Sequence, residues 1–202
     1  VGAKPVFVDI DEKTFNIDPG KIESVLTEKT KAIIVVNLYG QPAEYEEINR
    51  LAKKYSLEVI EDAAQSINAR YKNKMSGNLG DIGCFSFYAT KNVMCGEGGM
   101  ITTNHKIHCD KARMFRHHGQ KPEKKYEYFD LGYNYRMTDI SASIALVQLK
   151  KVQSITKTRQ NFAKLFNSAF KKIKHLITPA PKQDRTHVYH QYVLRIKKGA
   201  NI

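Results

Sequence analysis

Two side chains in this sequence are of the types that an imine-forming site needs. Lys91 stands in Phe85-Ser86-Phe87-Tyr88-Ala89-Thr90-Lys91-Asn92, and Asp62 in Glu61-Asp62-Ala63-Ala64-Gln65. A lysine amine becomes a good nucleophile when burial and nearby positive charge lower its pKa, and it then condenses readily with an aldehyde cofactor. A carboxylate facing the nitrogen of a pyridine ring keeps that nitrogen protonated, so the ring can take up electrons when a substrate α-proton leaves. Taken singly, either residue is better explained as surface charge or a helix cap. Their neighbours decide the matter.

Other candidate motifs carry less. Gly96-Glu97-Gly98-Gly99 lacks the lysine and the spacing of a triphosphate loop and reads as a tight turn between strands. His105 and His108, three apart on a helical stretch, have no carboxylate partner in the sequence pattern and read as surface residues, so no metal site is expected. The cysteines, Cys84, Cys95 and Cys109, are odd in number and show no C-x-x-C spacing, which argues against both a disulfide framework and a zinc cluster. No G-x-G-x-x-G follows a strand, which disfavours a dinucleotide-binding dehydrogenase.

The elements that must position Asp62 and Lys91 are an alternation of strands and helices. Val6-Phe7-Val8 is a short strand candidate. Asp18 then caps a helix with Pro19 in its first turn, running to about Leu26. Residues 31–38 are β-branched and continuously apolar, the mark of a strand covered on both faces, and Tyr39-Gly40-Gln41-Pro42 ends it. Residues 44–55 place Ile48, Leu51 and Ala52 on one helical face, and 57–60 form the next strand. The pattern predicts an α/β fold with a mostly parallel sheet flanked by helices, in which ligands gather at the carboxyl ends of the strands. Asp62 lies at such an end.

Further along, 82–88 and 99–103 read as strands, 105–117 as a helix and 121–130 as an exposed loop. From Thr138 a helix turns Ile140, Ile144 and Val147 inward, with Leu146 beside them, and a second helix covers 154–174. Pro179-Ala180-Pro181 marks a boundary, and the alternation from His187 to Ile196 suits a strand. This divides the chain into 1–150, part of a large α/β domain, and 151–202, a connecting helix and the start of a smaller domain.

With 202 residues and 42% hydrophobic composition, the chain has ample material for a buried core. A formal charge of +13 raises nucleic acid as a partner, but the lysines are dispersed and no basic-aromatic module accompanies them, so anionic small molecules fit better. No apolar run approaches the roughly 20 residues that span a bilayer, and no signal-peptide pattern opens the chain, so a reducing cytoplasm is expected. The chain begins at Val1 and enters strand-like sequence at once, which suggests further sequence upstream.

Four blocks occur together in order: Glu61-Asp62-Ala63-Ala64-Gln65; Gly80 to Asn92; Gly96-Glu97-Gly98-Gly99; and Gly132-Tyr133-Asn134-Tyr135-Arg136-Met137. With them the chain resembles the DegT/DnrJ-type (StrS-like) sugar aminotransferases, from Gly2 through His190. The resemblance implies a fold-type I transferase dependent on pyridoxal 5'-phosphate. It implies that Lys91 carries the cofactor as a Schiff base, Asp62 meets the pyridine nitrogen, Gln65 the ring hydroxyl and Ser86 the phosphate. It further implies a homodimer in which Asn134 reaches the cofactor phosphate of the neighbouring subunit. Tyr88, Arg136 and His187 are candidates for the sugar-nucleotide pocket, with strand packing an equal explanation for His187.

The implied reaction moves an amino group from an amino acid, glutamate by expectation, to a nucleotide-linked keto sugar. A branch of the family that replaces the cofactor lysine with histidine performs dehydration instead, and Lys91 argues against that branch. Two other readings stay open: an aminotransferase acting on a cyclitol or similar carbocycle, and a catalytically silent or regulatory protein retaining the fold. The family's small-residue phosphate loop, its stacking aromatic and the rest of its small domain have no match in this chain, so weak cofactor affinity is expected of it alone. Asn68 and Asn73 stand where glycine is common, at turns whose positive φ asparagine tolerates.

Overall fold

The computed structural model describes residues 1–124 and 126–199, so the predicted loop 121–130 and the second region, 151–202, each extend outside the described residues. In chain order the elements begin with α1 (Pro19–Ile22), β1 (Ala32–Val36), α2 (Tyr45–Lys54) and β2 (Glu58–Asp62). A small hairpin, β3 (Arg70–Tyr71) and β4 (Lys74–Met75), precedes β5 (Ile82–Ser86) and β6 (Gly99–Thr102). Then follow α3 (Lys106–Arg116), α4 (Asp139–Lys150), α5 (Val152–Phe170) and the short strands β7 (Leu176–Ile177) and β8 (Arg195–Ile196).

The central sheet has the order β1-β2-β5-β6; β1, β2 and β5 run parallel, and β6 returns antiparallel to β5. Alternation along the strands sends Ile33, Val35 and Val59 to one face, where they meet Ile22 of α1 and Tyr45, Ile48 and Leu51 of α2. The acidic first turn of α2 (Glu46, Glu47) and its basic last turn (Lys53, Lys54) both suit the helix dipole. Removing this face from water is the main driving term for the fold.

Several expectations change. The 31–38 run is not covered on both faces among the described residues, because α1 and α2 lie on one side only, and Ile34 is 64% exposed on the other. Val6-Phe7-Val8 forms no strand; its nearest pairing is a single bridge between Ile10 and Ile17, and Phe7 is exposed. Asp18 does cap α1, accepting from the Gly20 N–H at 3.0 Å, and the helix tightens to a 3-10 turn at Glu23–Val25, with Leu26 as its C-cap near the expected end.

The inward face expected from Thr138 is also reversed. Thr138 is the cap, accepting from the Ser141 N–H, yet Ile140, Ile144, Leu146 and Val147 are exposed, and only Ala145 is buried. The strand expected over 187–196 shrinks to β8, because 187–194 instead packs irregularly over the strand ends. The β3–β4 hairpin was not foreseen: its turn places Lys72 and Asn73 at φ 44° and 69°, a primed turn without the usual Asn-Gly signal. Asn68, at φ 69°, and Asn73 do adopt the positive φ expected of them.

Candidate functional site

The parallel strands end together. Val36, Asp62 and Cys84 are in register across β1, β2 and β5. Ser86 lies two residues beyond Cys84, so strand alternation puts Asp62, Cys84 and Ser86 on one face of the sheet. The Asp62 carboxylate accepts the Ala64 N–H at Oδ1, 3.0 Å, while its Oδ2 has no partner among the described residues. The Asp62 backbone carbonyl accepts the Asn37 N–H at 3.1 Å, joining the two strand ends. Ser86 Oγ accepts the Tyr88 N–H at 3.3 Å, which leaves its own hydroxyl hydrogen to donate.

Gln65 follows on the loop after β2. Its Oε1 lies 2.7 Å from the Tyr39 backbone nitrogen, and since that nitrogen can only donate, the contact fixes the amide with its NH2 turned away. Tyr39 itself sits at φ 59° in the turn after β1, and Gly40 at φ 101° allows the chain segments to close up. A Cβ on Gly40 would lie 2.7 Å from Val188 Cγ2 and 3.0 Å from both the Gln65 carbonyl oxygen and the His190 nitrogen. Only glycine fits there.

Lys91 occupies the turn after β5, closed by its N–H on the Tyr88 carbonyl at 2.9 Å. It is half-buried, and among the described residues its ammonium has no salt-bridge or hydrogen-bond partner. The next residue, Asn92, is buried and ties the turn to the chain's last third: Nδ2 donates to the Val188 carbonyl at 3.4 Å, and Oδ1 lies 3.3 Å from His190 Nδ1. Val188 N–H in turn donates to the Gly40 carbonyl at 2.9 Å. Lys91 and Gln65 are thus linked through Asn92, Val188 and Gly40. Burial, with help from the Lys91 and Arg159 charges, pushes His190 down to about 4, so it is neutral at pH 7.

The other candidates fall outside this cluster. His187 is 7% exposed, stacks on the Tyr189 ring with centroids 4.0 Å apart, and accepts the Tyr189 N–H at Nδ1. Burial lowers its pKa to about 4, so it presents no cation to a phosphate. Tyr88 is exposed beside the Lys91 turn. Asn134 and Arg136 lie on a segment pinned to the end of α3 by the Tyr133 N–H on Phe115 O, 2.7 Å, and the Tyr135 N–H on Arg116 O, 3.1 Å. Both are exposed, and Arg136 donates to His117 Nδ1 at 2.7 Å. Within this chain nothing described joins them to Asp62 or Lys91 by a side-chain hydrogen bond. His105 does meet a carboxylate, contrary to expectation: Nε2 lies 3.2 Å from Asp81 Oδ1, brought close by the β5–β6 pairing. No metal-binding group of three such residues forms among the described residues.

What sequence reading missed is the layer behind the site. Glu61 is fully buried and accepts from Asn37 Nδ2 (2.8 Å), Ser76 Oγ (2.7 Å), Gly77 N (2.7 Å) and Leu79 N (3.0 Å). The signal was present: adjacent acidic residues on a strand must face opposite sides, so one of Glu61 and Asp62 had to be buried.

These groups form a consistent donor set. The open Asp62 oxygen suits a protonated ring nitrogen, the Gln65 NH2 a ring hydroxyl, the Ser86 hydroxyl a phosphate and the Lys91 amine an aldehyde. The residues present therefore fit pyridoxal phosphate.

A family model described as the DegT/DnrJ/EryC1/StrS aminotransferase family matches residues 1–201. The chain is 46% identical over 200 residues to the pleiotropic regulatory protein of Geobacillus stearothermophilus, across 98% of this chain and 53% of that protein. It is 41% identical over 203 residues to the UDP-2-acetamido-2-deoxy-3-oxo-D-glucuronate aminotransferase of Pseudomonas aeruginosa, across 100% of this chain and 56% of that protein. The solved structure of E. coli GDP-4-keto-6-deoxy-D-mannose-3-dehydratase with bound hydrated PLP matches with a TM-score of 0.87 and 29% identity, over 97% of this chain and 54% of that one. The chain spans about half the length of the curated relatives it matches.

Proposed function

Because the chain belongs to the DegT/DnrJ/EryC1/StrS aminotransferase family, we propose that it provides the cofactor site of an enzyme that moves an amino group from an amino acid to a nucleotide-linked keto sugar. Membership carries the fold-type I architecture and pyridoxal phosphate as cofactor. Bound there, that cofactor supplies a ring able to accept the electrons left when a proton departs from the carbon next to nitrogen. The protein's own residues do the rest. Asp62 Oδ2 holds the proton at the ring nitrogen, Gln65 Nε2 donates to the ring oxygen, and Ser86 Oγ donates to the phosphate. Lys91 Nζ would hold the aldehyde carbon until the incoming amine displaces it, and the freed amine would then serve as base and acid at the substrate carbon.

The observation that carries this reading is the arrangement at one sheet edge: a free carboxylate oxygen and a free hydroxyl on one face, with an oriented amide and an unpartnered amine on the adjoining turns. The 3-oxo sugar linked to UDP in the name of the Pseudomonas relative supports a nucleotide-linked ketone over a cyclitol. Lys91 favours amino transfer over the dehydration named for the E. coli neighbour. Glutamate is the proposed donor, and residues 1–150 and 151–202 the proposed domain parts.

A homodimer belongs to the proposal. It is supported by the exposed Asn134 and by the uncovered Ile140, Ile144 and Val147 on α4. No described helix is long and apolar enough to cross a membrane, and Cys84, Cys95 and Cys109 are free thiols; a cytoplasmic setting is proposed on that basis. The test is a two-stage assay of the full-length protein with pyridoxal phosphate. Glutamate should yield 2-oxoglutarate, and UDP-, GDP- or dTDP-linked keto sugars should then be aminated in preference to cyclitol ketones. The name of the Geobacillus relative favours a second reading, a regulatory protein on the same fold. A regulator should give no cofactor absorbance and no 2-oxoglutarate.

A further inference from the structure

The buried layer behind the site is built from residues that adjoin the site residues one by one. Glu61 precedes Asp62 and points to the opposite face. Ser66 follows Gln65; its hydroxyl oxygen accepts from Asn37 Nδ2 at 3.2 Å and shares a hydrogen bond with Ser76 Oγ. Asn37 lies two residues before Tyr39, donates to Glu61 at 2.8 Å, and through its backbone N–H holds the Asp62 carbonyl. Its Oδ1 accepts the Ala43 N–H at 3.1 Å, so no arm of this amide is spare. The loop at 76–79 closes the ring through the Gly77 and Leu79 N–H groups.

We infer that Glu61 is a positioning residue for the cofactor site, a buried carboxyl group that ties the β2 end to the β1 end and the 76–79 loop and, through Ser66 on Asn37 and Ser76, to the 63–66 loop, so that Asp62 and Gln65 face the ring. The inference rests on the function proposed above. A core built only for stability has little use for a carboxylate at 0% exposure, since desolvation is costly and a packed apolar side chain serves as well. Burial does push the Glu61 carboxyl up from the usual carboxylate range, and the donors from Gly77, Ser76, Leu79 and Asn37 oppose that. Three of those donors are N–H groups that cannot accept, which requires the carboxylate to remain an acceptor on both oxygens. Directional bonds from two separate segments, Asn37 at the β1 end and the 76–79 loop, to one carboxyl group on β2 fix mutual geometry in a way that non-directional apolar packing does not.

The test compares Glu61→Ala and Glu61→Gln with Leu51→Ala, a core truncation in α2 away from the ring of hydrogen bonds. Gln keeps one oxygen for Asn37, Ser76 and Gly77 but sets an NH2 against the Leu79 N–H, so it should act in the same sense as Ala and more mildly. Amide hydrogen exchange at Tyr39 and Ala64, the N–H groups held by Gln65 and Asp62, reports the site directly without cofactor. At denaturant concentrations that equalise global stability, exchange at both should rise about tenfold in Glu61→Ala and stay within about twofold in Leu51→Ala. The dissociation constant for pyridoxal phosphate should rise about tenfold alongside. If Glu61→Ala does not fold, Glu61→Gln carries the comparison with about a threefold effect. Equal behaviour of the Glu61 and Leu51 variants, or site amides that do not respond, overturns the inference. Responsive amides in a wild-type protein that takes up no pyridoxal phosphate would instead overturn the proposed function and leave the anchor standing.

Discussion

Gln65 Oε1 accepts the backbone N–H of Tyr39 at 2.7 Å, so one amide side chain supports a left-handed residue at the end of β1 and keeps its NH2 free for the ring oxygen that the proposed function assigns to it. Two substitutions separate these roles. Gln65→Glu keeps an acceptor for Tyr39 and removes the donor, so its melting temperature should stay near wild type while cofactor affinity falls. Gln65→Leu strands the Tyr39 N–H and should cost about 1–3 kcal/mol in addition. Thermal melts paired with cofactor titration distinguish the two.

Ser86 offers a cleaner case, because the only described hydrogen bond of its side chain is the weak one it accepts from the Tyr88 N–H at 3.3 Å. Ser86→Ala should leave folding unchanged and weaken pyridoxal phosphate binding about tenfold, the loss of one hydrogen bond to a charged group. Binding of pyridoxal, which lacks the phosphate, should be the same in wild type and variant when both are titrated by absorbance.

Protonation of His187 sets an acid limit on stability. Burial lowers its pKa from 6.5 to about 4, so as pH falls below 6.5 the unfolded chain takes up a proton that the folded one refuses. The sign follows: stability is full above 6.5 and is lost on descending toward 4. The loss by pH 4.5 should be roughly 2–3 kcal/mol from this residue. His190, lowered in the same direction, adds to it. Denaturant titrations at pH 7.5 and 4.5 should show a smaller difference in His187→Gln than in wild type.

Arg185 should prove the most sensitive basic residue for stability. Its side chain is 2% exposed, bonded to Glu44 and Asp184 at 2.7 Å each and to the Pro42 carbonyl at 2.9 Å, and its guanidinium carbon lies 4.6 Å from the centre of the Tyr71 ring. Arg185→Ala leaves Asp184 without its partner and Glu44 with Lys182 alone, and should cost about 3 kcal/mol, the lower end for a buried pair because the carboxylates keep some solvent. Arg185→Lys should recover only part of this, since an ammonium cannot fill the same fork. Equilibrium unfolding in urea measures both.

How much of this was legible in the sequence depends on whether a feature is local. The β1-α2-β2 unit could be read because Ile48, Leu51 and Ala52 repeat at helical spacing between two apolar runs, and local periodicity decides such elements. The same reasoning failed for α4, where apolar spacing is equally clear but Ile140 and Ile144 meet solvent in this chain; periodicity reports an apolar face without saying what covers it. Alternation over 187–196 misled because those residues pack against Gly40 and Asn92 instead of a neighbouring strand. Asp62, Gln65, Ser86 and Lys91 are candidates that their motif alone could nominate. Adjacent acidic residues hint that Glu61 or Asp62 is buried, but the partners Asn37, Ser66 and Ser76 escaped because their association is purely spatial, joining positions as far apart as 37 and 76.

Everything proposed for the site turns on Lys91 Nζ as the amine that holds the cofactor. The most direct test is reduction of the protein with borohydride in the presence of pyridoxal phosphate, followed by peptide mass mapping, in wild type and in Lys91→Ala. Wild type should carry one stoichiometric pyridoxyl label on Lys91, and the variant none of comparable yield and no amino transfer in the full-length enzyme. A label spread over other lysines, or equal labelling and retained turnover in Lys91→Ala, would contradict it.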